Sequence, residues 1–285
     1  MQILSLLKYN IEVVQQIVAR NKISTSGNIG VYESEEVVKD YIAKDDLQKP
    51  EATILDELKN KLPSMRMLDI GVGAGRTTPH FSCLVKEYVG IDYSHKMINA
   101  CIKKFENYPN KISFLAADAR NMKFFKNNSF DFILFSFNGI DYADHEERMV
   151  IMSEIRRLIR PRGYFCFSTH NLNIVLKDFF SIRISKNPKL LALHTRELLQ
   201  MRLLNKGEVW RTIRNPSGNQ QHLMVNDGAH NFRLKTYFLT PFEQLNQLHE
   251  LGYSETKMYS LSDGREIRNP SGVMDRYIYF LSQAP

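Results

Sequence analysis

Cysteine is scarce in this chain: three among 285 residues, Cys83, Cys101 and Cys166, an odd number without metal-ligand spacing. Neither a disulfide framework nor a metal centre is expected, and each thiol falls in a segment that reads as helix or strand, as a reduced packing residue would. Long apolar runs are missing as well. A membrane span needs about 20 consecutive apolar residues, and nothing here approaches that. The opening MQILSLLKYNIEVVQQIVAR has apolar positions at helical intervals, but Lys8, Asn10 and Glu12 break the apolar centre that a secretory signal requires. The expectation is a cytoplasmic protein with no membrane partner. Internal repeats and low-complexity tracts are also absent. What is present is the composition of an ordinary globular protein, 43% hydrophobic and 24% charged, in a chain long enough for one large or two modest domains with a proper core.

The net charge of +7 is unevenly spread. Between Asn171 and Arg214 stand nine basic residues against three acidic ones, so nearly the whole excess sits in one segment. Such a segment can attract an anionic substrate, from a phosphosugar to RNA, or simply form a solvated helical face. The basic residues are scattered and lack interleaved aromatics, which favours the solvated face.

The most informative stretch runs from Met67 to Asp92. Met67-Leu68-Asp69-Ile70 reads as a short buried strand, and Gly71-Val72-Gly73-Ala74-Gly75 as a loop whose glycines permit positive φ and a close ligand approach. Thr77 and Thr78 before Pro79 suit the first turn of a helix. Tyr88 to Ile91 is a second strand, ending in Asp92. An acid there can accept hydrogen bonds from both hydroxyls of a ribose, so a nucleoside ligand is expected. The nicotinamide fingerprint G-x-G-x-x-G would need glycine where this chain has Arg76. Asp69, two residues before the first glycine, would repel a pyrophosphate and welcome a cation. Taken alone, the loop also fits a tight strand-to-helix turn with no ligand.

The flanking segments continue the β/α alternation. Ser94 is placed to cap a helix running to about Phe105. A third strand, Ile112 to Ala116, ends at Ala117-Asp118-Ala119-Arg120, where the carboxylate can accept from an adenine amino group and the alanines leave room for the ring. Phe130 to Phe137 is an apolar strand of the kind buried on both faces, and it ends in Asn138-Gly139-Ile140-Asp141-Tyr142. The pattern predicts an amphipathic helix over Glu146 to Arg160, stopped by Pro161, and a fifth strand over Tyr164 to Ser168. Residues 173–204 read as helical, and 230–238 alternate like an exposed strand. Thr240 caps a helix ended by Gly252, and two strands over 253–261 and 274–281 close the chain. At the other end, helices are expected over 1–20, from Ser34 to Tyr41, and from Pro50 to about Leu62.

The D-x-G-x-G-x-G run from Asp69 to Gly75, with Asp92 closing the second strand and Asp118 closing the third, resembles the class I S-adenosylmethionine-dependent methyltransferases. The likeness covers about residues 65–170 in motif and 236–281 in topology. It implies an α/β, Rossmann-like fold: a seven-stranded, mostly parallel sheet in the order 3-2-1-4-5-7-6. A helical N-terminal cap over 1–62, a cofactor-binding core over 63–170, a substrate-side insertion over 171–235 and a C-terminal part of the core over 236–285 would follow. It implies S-adenosylmethionine as cofactor, held by Asp69, Gly71, Gly73 and Gly75 at the loop and by Asp92, Tyr93 and Met97 after the second strand. Asp118, Ala119 and Arg120 would follow the third strand, and Phe135 with Ser136 would end the fourth. Small-molecule members commonly place a helical prelude over the cofactor, by which Tyr32 and Tyr41 would close over its methionine end. The residues themselves also allow Met97 as core filler and the two tyrosines as packing for the cap.

The expected acceptor is an N or O atom of a small metabolite, an anionic one included. Nucleic acid is not expected as a partner, because strand four ends in Ser136-Phe137-Asn138-Gly139 rather than N-P-P-[YF], and no cysteine-nucleophile motif occurs. An RNA (tRNA) methyltransferase using the basic insertion is the alternative, and a non-catalytic nucleoside-binding protein the second. Oligomeric state stays open, a homodimer among the options. The candidate base is His170, in Ser168-Thr169-His170-Asn171 directly after the fifth strand, because an imidazole titrating near neutrality can take the acceptor's proton. His145 and Asp141 compete for that role, and a His170 that only fixes the insertion is equally compatible with the sequence.

Overall fold

The computed structural model describes residues 32–108, 111–174, 222–226 and 234–285, with scattered positions between 177 and 207. The helix expected over 1–20, most of the helical run over 173–204 and most of the basic insertion lie outside the described residues.

Ten strands form one sheet: β1 (Arg66–Ile70), β2 (Glu87–Asp92), β3 (Ile112–Ala116), β4 (Phe130–Phe135), β5 (Ile159–Asn171), β6 (His222–Val225), β7 (Thr236–Leu239), β8 (Glu255–Ser260), β9 (Glu266–Ile267) and β10 (Tyr277–Gln283). Along the main path the order is β3-β2-β1-β4-β5-β10-β8-β9. The first five strands pair in parallel, and β10 runs antiparallel to both β5 and β8. With β8 and β10 as the sixth and seventh strands, this is the expected class I order. Three short strands extend it: β9 at the edge, and the hairpin β6–β7 on the end of β5.

Period-two alternation sends the two sets of side chains into two cores. Leu68, Ile70, Ile133, Phe165 and Phe280 face one side with Ile151, Met152 and Ile155 of helix α5 (His145–Leu158) and Leu248 of α6 (Pro241–Glu250). Met67, Phe132, Leu134, Cys166 and Tyr279 face the other, with Ile54 and Leu58 of α2 (Lys49–Leu58), Phe81 of α3 (Thr78–Phe81), and Ile98 and Cys101 of α4 (His95–Lys104). Caps set where these helices begin. Ser34 Oγ accepts from Val37 N at the start of α1 (Glu35–Ile42) and Ser94 Oγ from Met97 N at 3.2 Å. Asp144 and Glu147 form a reciprocal capping box on α5.

Several local expectations change. The helix after the glycine loop spans four residues only. β5 begins at Ile159, so α5 ends before Pro161 instead of at it. A residue preceding proline is steered out of the helical region, and Arg162 takes a φ of 62°, making an irregularity that lets Ile159 pair with Phe130 and Tyr164 with Phe132. The strand expected to be exposed is buried over Thr236–Leu239, because β7 lies between β5 and β6, pairing in parallel with His170 and Asn171. Cys101 and Cys166 are buried as packing residues should be, but Cys83 is exposed in a turn beyond α3.

Gly75, at φ 83°, is the glycine that the fold spends most strictly, since a Cβ there would overlap the Phe105 ring. Gly75→Ala is expected to lower stability by roughly 2–4 kcal/mol, from left-handed backbone strain plus overpacking. Chemical denaturation measures this; a loss near zero would mean that Phe105 swings clear.

Candidate active site

The parallel strands deliver their carboxyl ends to one edge, and there lies a cavity of about 960 Å³ including its open mouth. Of the sequence-derived cofactor residues, Tyr32, Tyr41, Gly71, Gly73, Asp92, Tyr93, Met97, Asp118, Ala119, Arg120, Phe135 and Ser136 line it. Asp69 instead lines a smaller adjoining recess with Lys44, Arg76 and Thr77, while Gly71, Gly73, Tyr41, Ser136 and Phe137 are common to both spaces. Gly75 lies behind the loop, against Phe105.

The loop works as a cradle through its geometry. Gly71 and Gly73 have φ values of 66° and 55°, and Cβ atoms there would stand 3.0 Å from Phe135 and Tyr41. Asp92 ties the loop to β2: Oδ2 accepts from Gly73 N at 3.0 Å and Oδ1 from Ser94 N at 2.8 Å. Burial nevertheless pushes its carboxyl up to about 6. Asp69 is also raised to about 6 by burial, although it accepts hydrogen bonds from Thr77 and, at 2.6 Å, from the Tyr88 hydroxyl. A ligand donating hydrogen bonds to Asp92, or carrying positive charge near Asp69, would favour the ionised forms. The Tyr93 hydroxyl is buried without a hydrogen-bond partner among the described residues, an atom that a polar ligand in this cavity can satisfy. The cradle, the two carboxylates and this hydroxyl fit S-adenosylmethionine.

At the other end of the cavity, Asp118 does not stand free. Its carboxylate accepts from the backbone N–H and Nε of Arg120, both at 2.9 Å, and Arg120 Nη1 reaches on to Glu147 at 2.5 Å. Glu147, from the first turn of α5, lines the same wall and carried no motif.

Other wall residues were also invisible as a pattern. Arg76, which displaces the dinucleotide glycine, makes a two-pronged ion pair with Glu51 of α2 at 2.6 Å per prong, and the Glu51 side chain is fully buried. The same carboxylate accepts from Ser136 Oγ and, at 3.0 Å, from Tyr279 OH. Above the loop, Tyr32 packs edge-on against Tyr41, Tyr93 and Tyr142, at 5.6–6.1 Å between ring centroids. After β4, Phe137 and Asn138 both adopt left-handed backbone, at φ 55° and 60°, a strain of about 1–3 kcal/mol each that tends to concentrate at functional sites. The turn puts the Phe137 ring beneath the Lys44 ammonium at 5.6 Å and the Arg76 guanidinium at 5.2 Å.

His170 is not among the residues that line the cavity or the recess; it meets Asn138, whose chain neighbours Phe137 and Gly139 do line the cavity. Its Nδ1 lies 2.8 Å from Asp141 Oδ2, its Nε2 3.4 Å from Asn138 Nδ2, and its ring beside Phe238 and Tyr277. Both competitors for the role of base have close partners of their own. Asp141 is fully buried and paired with Arg148 at 2.5 Å. His145 packs flat against His222 at 4.1 Å, with its Nδ1 at 2.9 Å from Tyr237 OH. Among the described residues no cluster of three potential metal ligands occurs, and no helix is long and apolar enough to cross a membrane.

Asp92→Ala is expected to weaken S-adenosylhomocysteine binding by roughly 2–4 kcal/mol while the fold survives, the loss of charge-assisted hydrogen bonds; unchanged affinity by calorimetry would dismiss the assignment. The pH dependence has a definite sign. The hydroxyls of a bound ribose would donate to the ionised carboxylate, so affinity should be full above about pH 7 and decline as Asp92 protonates near 6, by up to about tenfold per pH unit. For the free protein the sign reverses: a carboxyl that binds its proton more tightly folded than unfolded adds stability as pH falls from about 6 toward 4.

Comparison with known proteins agrees with this architecture. Residues 67–163 match the family model described as "Methyltransferase domain". The bifunctional biotin-biosynthesis protein BioHC of Cellvibrio japonicus is 30% identical over 118 residues, 41% of this chain but only 22% of that protein. Among solved structures, the CcbJ methyltransferase of Streptomyces caelestis superposes with a TM-score of 0.57 at 15% identity, over 89% of this chain and 98% of the other. The Burkholderia thailandensis 1,6-didemethyltoxoflavin-N1-methyltransferase, solved with that compound and S-adenosylhomocysteine, gives 0.56 at 12% identity, over 93% and 92% of the two chains. Residues 67–163 are therefore a methyltransferase domain, and the glycine cradle between β1 and α3, the acids closing β2 and β3 and the sheet order give the chain the fold of the class I S-adenosylmethionine-dependent methyltransferases.

Proposed function

We propose that this chain methylates a nitrogen or oxygen atom of a small metabolite, such as a sugar, an amine or a natural-product intermediate. The observation that carries the proposal is the roofed cavity at the carboxyl edge, closed by the tyrosines of the N-terminal segment over the glycine cradle. Sites of this size and enclosure take small ligands. The comparisons run the same way, since one similar structure is of an enzyme acting on a toxoflavin precursor and another is described as a possible histamine N-methyltransferase from Thermotoga maritima, with a TM-score of 0.52 and 17% identity over 90% of this chain and 99% of that one. In this reading residues 1–62 are the cap, 63–170 with 236–285 the cofactor-binding core, and 171–235 the substrate-side insertion.

When bound, S-adenosylmethionine supplies an electrophilic methyl group on a sulfonium. The chain's own contribution is binding, alignment and exclusion of water. Asp92 would accept from the ribose hydroxyls and Asp118 from the adenine amino group, with Gly71, Gly73, Met97, Ala119, Phe135 and Ser136 shaping the walls. Asp69 lines the smaller recess together with Lys44 and Arg76, a charge pattern that matches an amino acid's ammonium and carboxylate. Tyr32 and Tyr41 would close that end. His170 would take the proton shed by the acceptor, and the support for this is the contact that leaves Nε2 on the side of Asn138.

The assay is incubation with methyl-labelled S-adenosylmethionine and a fractionated cell extract. Label is expected in the small-molecule fraction; label in tRNA would overturn the substrate class. His170→Ala should keep its affinity for S-adenosylhomocysteine and lose on the order of 10²–10⁴ in kcat. A folded variant with wild-type turnover would place the base elsewhere.

A further inference from the structure

We infer that Asp141 is a positioning residue for His170, holding the ring proton on Nδ1 so that the Nε2 lone pair is left for the acceptor; this rests on the proposed role of His170 as base. The chemistry of the donors and acceptors carries it. A carboxylate offers about four lone-pair sites and no proton, and here all four directions are taken. Oδ1 accepts from Arg148 Nη1 at 2.5 Å and Thr169 Oγ1 at 2.7 Å; Oδ2 accepts from the His170 backbone N–H at 2.7 Å and faces His170 Nδ1 at 2.8 Å. A bare Nδ1 at that distance would set two acceptors against each other, so the proton sits on Nδ1.

The opposite side of the ring agrees. Asn138 presents its Nδ2 to Nε2 at 3.4 Å, a donor facing a lone pair. That contact is the longest of the set, and therefore the one that an acceptor N–H or O–H can replace. Two hydrogen bonds to one oxygen, from the backbone and the ring of the same residue, also fix the plane of the imidazole.

Arg148 decides the charge of the arrangement. Its side chain and that of Asp141 are both fully buried, and its guanidinium also reaches Gln244 Oε1 at 2.7 Å and lies over the Tyr237 ring at 4.7 Å. With Arg148 held on Oδ1, the other oxygen of Asp141 is left to orient the ring. A neutral ring is the form that can receive the acceptor's proton. Asp141 thus acts through His170 and would touch neither substrate nor cofactor, in the way the acid of a serine-hydrolase triad sets the tautomer of its histidine.

The test begins with the wild-type full chain. NMR of the imidazole nitrogens on isotope-labelled protein, with the His170 signals identified by their loss in His170→Gln, should show a neutral ring protonated on Nδ1. A proton on Nε2 overturns the inference without any rate being measured. In Asp141→Asn the ring should redistribute toward the Nε2–H tautomer, and transfer of label from methyl-labelled S-adenosylmethionine to the small-molecule fraction should fall about 10²–10⁴-fold, with S-adenosylhomocysteine affinity kept within about twofold. A folded Asp141→Asn protein with wild-type turnover overturns the inference as well. Should that variant leave Arg148 unpaired and fail to fold, the wild-type spectrum still decides. The two readings fail separately: an Nδ1 proton together with unimpaired His170→Ala turnover removes the base and, with it, the catalytic purpose of the contact.

Discussion

The ion pair between Arg148 and Asp141 is the constraint on which the carboxyl ends of β4 and β5 depend. Neither side chain is exposed. Removing one partner of such a pair typically costs about 3–5 kcal/mol, because the other charge is left buried and alone. The pair joins elements that are far apart in the chain: Asp141 comes from the turn after β4, Arg148 from α5, Thr169 and His170 from β5, and Gln244 from α6. Tyr237 of β7 lies against the guanidinium, so the hairpin that extends the sheet is held to the same point.

A second buried charge organises the cofactor side. Arg76 occupies the position at which a dinucleotide-binding loop would have its last glycine, and Glu51 of the N-terminal segment meets it with both oxygens. That pair welds α2 onto the glycine loop. The consequence is steric as well as electrostatic, since Tyr41 comes within van der Waals reach of Gly73 and Lys44 reaches over Phe137. Tyr32, Tyr41 and Lys44 thus form part of the wall of the cavity and its recess. Across the sheet the two pairs divide the labour: Glu51–Arg76 shapes the recess beside Asp69, and Asp141–Arg148 shapes the ground beneath His170.

The core elements were legible because their sequence determinants are local. Strands β1, β2 and β4 are short apolar runs with defined ends, and the Ser34, Ser94 and Thr240 caps lie within three residues of the N–H groups they satisfy. The glycine loop, Asp92 and Asp118 follow three successive parallel strands, β1, β2 and β3, which lie side by side in the sheet, so order in the chain becomes adjacency in space. Pro161 was misleading for a local reason: it stops a helix, but it equally suits the irregular start of a strand. The burial of Thr236–Leu239 was not legible, because alternation describes a strand with one open face, and only the pairing of β7 with β5 and β6 covers the other.

The sequence by itself therefore determined the class of sheet, the place of the cradle and the acids that end β2 and follow β3 at the cavity, since these follow from periodicity and from spacings of a few residues. Tertiary structure alone decided what Glu51, Arg76, Asp141 and Arg148 are for. Each is an ordinary surface-type residue in the chain, 25 and 7 positions from its partner respectively, and no propensity marks a charge as buried. Burial makes them consequential: in a medium that solvates ions poorly, a carboxylate must find its cation, and the fold that brings the two together also fixes the tyrosines, the recess and the imidazole around them.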